Sequence, residues 1–169
     1  MGDTMLPMED KLLDLFARLS LSSARSKVFA MRAQKDGRSA LAKLFRALAD
    51  SQAMQAQRFL MQIRGTIGST DENEHAVFTA ELPKAIEEYI ELMTEAEKLD
   101  SKALSTGFRH SGNVDKIILT LYKNLNEQNP EKEYYVCDFC GYVKTDEPPD
   151  NCPICTAPKR RFQKVSADL

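Results

Sequence analysis

The chain has 169 residues, 43% of them apolar, and 23 Lys and Arg nearly balance 25 Asp and Glu. That is room for one ordinary domain, or a medium domain with a small one, and the near-zero charge argues against a dedicated nucleic-acid binder, which carries a basic excess. No apolar run approaches the roughly 18–20 residues that span a bilayer, and the opening MGDTMLPMEDKLLDLF places acids where a secretory signal carries lysines, so a cytoplasmic protein with no membrane partner is expected.

The upstream part reads as helices. A first helix is predicted over about 8–34, turning at Asp36-Gly37. A second spans about 39–64 and ends at Gly65, as helix C-termini prefer. Its apolar stripe is Leu41, Phe45, Leu48, Phe59 and Ile63. Ser69 with Glu72 three residues on has the form of a capping box. Pro83 then suggests that the main body of a third helix starts near Leu82 and runs at least to Leu99. The stretch 100–112 is ambiguous. Gly107 and Gly112 mark a loop, or else sit inside a fourth helix at a cost of about 1 kcal/mol each. The firm part of that helix is 113–128, with Val114, Ile117, Ile118, Leu121 and Leu125 on one side. Four amphipathic helices with short connections make a bundle the natural architecture.

The vocabulary changes near Asn129-Pro130, to the Tyr, Val, Cys, Gly and Pro of short strands and tight turns. The expected division is a helical domain over 1–130 and a small domain over 131–169. All four cysteines lie in the latter, as C-D-F-C-G-Y and C-P-I-C-T. A disulfide framework spreads its cysteines along a fold, whereas clustered C-x-x-C pairs bind metal. In each turn two thiolates point the same way and backbone N–H groups can donate to them. Gly141 falls where positive φ would let an N–H approach sulfur. Cys137, Cys140, Cys152 and Cys155 are therefore the candidate metal ligands, a closed S4 tetrahedron suited to iron or zinc. Flanking aromatics (Tyr134, Tyr135, Tyr142, Phe162) point to a dry site, compatible with electron transfer and with structural zinc alike.

The segment YYVCDFCGYVKTDEPPDNCPICTAPKRRFQKV resembles the rubredoxin-like tail of rubrerythrins, including the ending at Pro158, Lys159 and Phe162. SSARSKVFAMRAQKDG and LFRALADSQAMQAQRF look like the first two helices of that family, and EYIELMTEAEK and VDKIILTLYKNL like parts of its third and fourth. The resemblance implies a mainly α fold: a ferritin-like four-helix bundle followed by a rubredoxin-like knuckle domain with short β-strands. It favours iron over zinc in the knuckles and a fourth helix starting before Gly107.

The family also holds two irons in its bundle and uses them to reduce peroxide, which needs inward carboxylates and Glu-x-x-His pairs. Here Leu21 stands where the first-helix glutamate belongs, and Gln52 and Gln55 replace the second-helix Glu-x-x-His. Glu88 and Glu91 keep the third-helix pair, and Asp115 and Ile118 replace the fourth-helix Glu-x-x-His. Gln52 and Gln55 continue the apolar stripe of their helix and are expected to face the interior, hydrogen-bonded to each other or to water. The diiron centre is expected to be absent, with no catalytic residue assigned. His75 and His110 read as solvated, and Met31, Met54, Met61 and Met93 as core packing. The acidic loop of Asp138, Asp146, Glu147 and Asp150, with Lys159-Arg160-Arg161 after it, reads as a docking rim or an ordinary solvated loop.

The leading expectation is an electron carrier with one rubredoxin-type iron. The resemblance implies a homodimer and a redox partner such as a rubredoxin reductase. The rivals are a peroxidase with a rearranged site at Glu88, Glu91 and Asp115, and a non-redox interaction protein stabilised by zinc.

Overall fold

The computed structural model describes residues 7–125 and 132–166. It divides into two compact units, one through Ser69 and one from Thr70 onward; the predicted junction near residue 130 lies outside the described residues. The class is mainly α with a small three-stranded sheet.

The first unit is a hairpin of α1 (Pro7–Lys35) and α2 (Ser39–Leu60). Glu9 and Asp10 in the first turn of α1 and Arg32 and Lys35 in its last complement the helix dipole. The helix stops at Gly37, at φ +75°. The Arg38 N–H donates to Ala33 O at 2.8 Å and the Gly37 N–H to Gln34 O at 3.2 Å, which closes the orphan carbonyls. The helices pair antiparallel through small residues. Ser23, Ser26, Ala30 and Ala33 of α1 and Ala42, Ala49 and Ala56 of α2 are buried, and Ser23 Oγ donates to Ala49 O at 2.8 Å. A contact of alanines and serines brings backbones close but leaves large apolar side chains outside it. Val28, Met31, Leu44, Leu48 and Met54 are exposed. The α2 stripe predicted from sequence is thus only partly covered, and of the four methionines expected in a core, Met31, Met54 and Met61 are exposed.

In the second unit the helix begins earlier than Pro83 suggested. α3 (Thr70–His75) starts directly after Ser69 and runs through a π-helical turn, Ala76–Glu81, into α4 (Leu82–Lys98). The Leu82 N–H donates to Val77 O, five residues back. Proline has no N–H to give and crowds the carbonyl four residues before it. The widened turn just ahead of Pro83 accommodates both defects without ending the helix. α5 (Lys102–Lys123) contains both Gly107 and Gly112, which resolves the ambiguous stretch as helix, with its start before Gly107. The turn between α4 and α5 repeats the closure seen at Gly37: the Ser101 N–H donates to Ala96 O and the Asp100 N–H to Glu97 O. Here the left-handed residue is Asp100, at φ +51°.

The sheet comprises β1 (Tyr134–Cys137), β2 (Val143–Thr145) and β3 (Phe162–Lys164), in the order β2-β1-β3, all antiparallel. It sits against α5: a Cβ built on Gly141 would lie 3.9 Å from Val114 Cγ1. Among the described residues no helix is long and apolar enough to cross a membrane.

Candidate metal centre

The two C-x-x-C turns have the same backbone wiring. In the first, the Cys137 N–H donates to Tyr142 O and the Gly141 N–H to Cys137 O, both at 2.9 Å. In the second, the Cys152 N–H donates to Ala157 O at 2.8 Å and the Thr156 N–H to Cys152 O at 2.9 Å. Each turn needs a left-handed residue after its second cysteine. Gly141 fills that position at φ +81°, as expected, and Thr156 fills it at φ +61°. For a β-branched residue that conformation is strained.

The wiring brings the four sulfurs together, all within 4.8 Å of one another. Cys137 Sγ and Cys155 Sγ are 3.8 Å apart, and Cys140 Sγ and Cys152 Sγ 3.6 Å. A tetrahedron with metal–sulfur bonds of about 2.3 Å has edges of about 3.8 Å. The set therefore fits a tetrahedral metal with little movement, and the residues predicted from sequence are the ones the fold assembles. No cysteine is in a disulfide.

The surroundings suit thiolate charge unevenly. Burial pushes the Cys137 thiol up, but the N–H groups of Cys140 and Phe139 donate to its sulfur and bring it below the ordinary thiol range. Burial pushes Cys140 up despite the Tyr142 N–H, and Cys155 up despite the Ala157 N–H. Without a cation to balance them, four thiolates at this spacing do not coexist, so metal binding releases protons. Cys137 and Cys152 are each 1% exposed, while Cys140 and Cys155 are half-buried. The centre is thus closed on one side and approachable through two sulfurs on the other. Tyr142 and Phe162 make an edge-to-face pair, with centroids 6.1 Å apart. Phe139, between the first two ligands, is 65% exposed; the sequence reading missed it, since a C-x-x-C pattern does not say which inner residue faces water.

The charged rim is internally paired at two places. The acidic loop and the basic triplet pair with each other: Arg161 Nε lies 2.6 Å from Asp138 Oδ1, and Lys159 Nζ 2.7 Å from Glu147 Oε1.

In the first unit Leu21 is exposed. Gln52 is half-buried, and its Oε1 is shielded from solvent with no hydrogen-bond partner among the described residues. Gln55 is exposed, with its Nε2 donating to Ser51 Oγ at 3.2 Å, and does not pair with Gln52. Its neighbour Ala56 takes the buried place against α1. In the second unit Glu88 and Glu91 are exposed, Glu88 lying 3.8 Å from Lys84. Asp115 and Ile118 are half-buried, and burial holds the Asp115 carboxyl above its ordinary range. His75 is exposed beside Thr79, and His110 is half-buried rather than solvated.

The family model for the rubredoxin-like domain of rubrerythrin matches residues 135–163, which hold all four cysteines. A rubrerythrin of Porphyromonas gingivalis is 27% identical, over 95% of this chain and 90% of its own length. Rubrerythrin-1 of Clostridium acetobutylicum is 25% identical, over 93% of each chain. A solved structure of mixed-valence nigerythrin matches over 98% of this chain and 91% of its own, at 16% identity and a TM-score of 0.37.

Proposed function

We propose that this chain is a member of the rubrerythrin family and an electron-transfer protein whose redox centre is a single iron held by Cys137, Cys140, Cys152 and Cys155. The observation that carries this reading is the set of four sulfurs at tetrahedral spacing with backbone N–H groups donating to them. Iron bound there supplies one-electron chemistry between its ferric and ferrous states. The chain's own part is to fix the four thiolates so that little reorganises when the charge changes. The buried Cys137 and Cys152 exclude water, and the half-buried Cys140 and Cys155 give a partner its approach.

On this reading the diiron site of the family is degenerate. Leu21, Gln52, Gln55 and Ile118 stand at positions where the family supplies ligands. A neutral amide or an aliphatic side chain is a poor substitute for carboxylate or imidazole on iron. The electron then leaves for another protein, with a rubredoxin reductase as the donor class. A homodimer follows from the same reading, and exposed Val28, Leu44, Leu48 and Met54 give it apolar surface to cover. A cytoplasmic location agrees with four free thiols held for metal.

Zinc fits the same tetrahedron, so the second reading is a non-redox protein stabilised by zinc. Colour separates the two. Protein purified anaerobically from cells grown with both metals and then oxidised is expected to be red, with thiolate-to-iron absorption that bleaches on reduction. A colourless preparation with one zinc per chain would remove the electron-transfer reading.

A further inference from the structure

Asp138, the residue after the first metal ligand, is held from three directions. Its N–H donates to Arg161 O at 2.8 Å. Its Oδ1 lies 2.6 Å from Arg161 Nε, and its Oδ2 accepts from Gln163 Nε2 at 3.5 Å. An exposed ion pair contributes little, and Lys159–Glu147, at 46% and 82% side-chain exposure, is of that kind. The Arg161–Asp138 pair is more shielded, at 33% and 31%, and is backed by a backbone bond between the same residues. The two N–H groups that follow Asp138, those of Phe139 and Cys140, are the ones that donate to Cys137 Sγ. Phe139 is itself mostly exposed and gives the turn little packing.

We propose that Asp138 and Arg161 form a positioning clamp on the first knuckle, holding the Phe139 and Cys140 N–H groups on Cys137 Sγ and so setting how firmly the metal is held and at what potential it is reduced. The potential rests on the Fe(SCys)4 reading above; metal retention does not. Reduction adds negative charge to the metal–sulfur unit, so sulfur-directed N–H groups favour the reduced state. Loosening them lowers the potential. This predicts a sign that simple charge removal does not. By charge alone, Asp138→Asn raises the potential and Arg161→Gln lowers it. By loss of the clamp, both lower it.

Retention is read on the full chain loaded with zinc, as release to a chelator, and the potential on the chain loaded with iron. Asp138→Asn and Arg161→Gln are each expected to speed release about threefold or more, the scale of one well-placed ion pair, and to shift the potential downward. Arg161→Lys, which keeps a donor, is expected to restore most of both properties. Glu147→Gln, which breaks only the exposed pair, is expected to change neither. Release accelerated less than threefold, or potentials that move in opposite directions, overturns the clamp. If the native metal proves to be zinc, the release measurement still decides it.

Discussion

Thr156 and Gly141 hold equivalent places in the two knuckles, yet only one of them is a glycine. A β-branched residue at φ +61° carries strain of about 1 kcal/mol, partly offset by the donation of its hydroxyl to Cys155 O at 2.6 Å. Thr156→Gly is expected to raise stability of the metal-free and metal-loaded chain alike, by up to about 1 kcal/mol less the entropy that glycine adds to the unfolded state; denaturant midpoints measure it. Asp115 is the other strained residue, electrostatically. Its carboxyl is raised by burial, so the charged form is disfavoured in the folded chain. The penalty is absent below the unfolded value of 3.8 and complete above the raised folded value. Asp115→Asn should therefore stabilise at neutral pH and give no gain near pH 3, in paired denaturation curves. Equal gains at both would contradict the assignment. The cluster of four cysteines was legible from sequence because C-x-x-C spacing is itself the geometry. Neither the left-handed Thr156 nor the ion pair of Asp138 with Arg161, 23 residues later, has a local signal.

The helices were legible in number and roughly in place, and they failed where a local rule met a wider one. Pro83 pointed to a helix start, but a π-helical turn over Ala76–Glu81 carries the helix through it. Gly107 and Gly112 left loop and helix both open, and both lie inside α5, the alternative that the family resemblance favoured. A Cβ at Gly107 meets nothing within 4 Å. Gly107→Ala is thus expected to stabilise α5 by up to about 1 kcal/mol, the propensity difference, seen as a higher melting temperature with unchanged helical content. A loss of stability would mean that this face of α5 is tightly covered. The α2 stripe misled for a third reason. Large apolar residues at helical spacing were assigned to the core, whereas the α1–α2 contact is built from Ser23, Ser26, Ala30, Ala42, Ala49 and Ala56. Periodicity identifies an apolar face without saying whether its own hairpin covers it.

For the whole molecule, the proposed homodimer can be tested directly. Sedimentation equilibrium is expected to give the mass of two chains, and Leu48→Glu, a charge placed on an exposed apolar side chain of α2, to shift it toward one. A monomer at every concentration would contradict the dimer. Fold class and metal site were readable at this scale from two cysteine pairs and four helical patterns. What the helices hold was not, because Leu21, Gln52, Gln55 and Ile118 carry no spacing that names a ligand. On the proposed reading the four-cysteine iron is the chain's single redox centre. A reductive titration of the air-oxidised protein, with iron measured on the same sample, tests it most directly. One iron and one electron per chain, with complete bleaching of the visible bands, is the predicted result. Three irons per chain, with further electrons taken up after the bands have bleached, would contradict it.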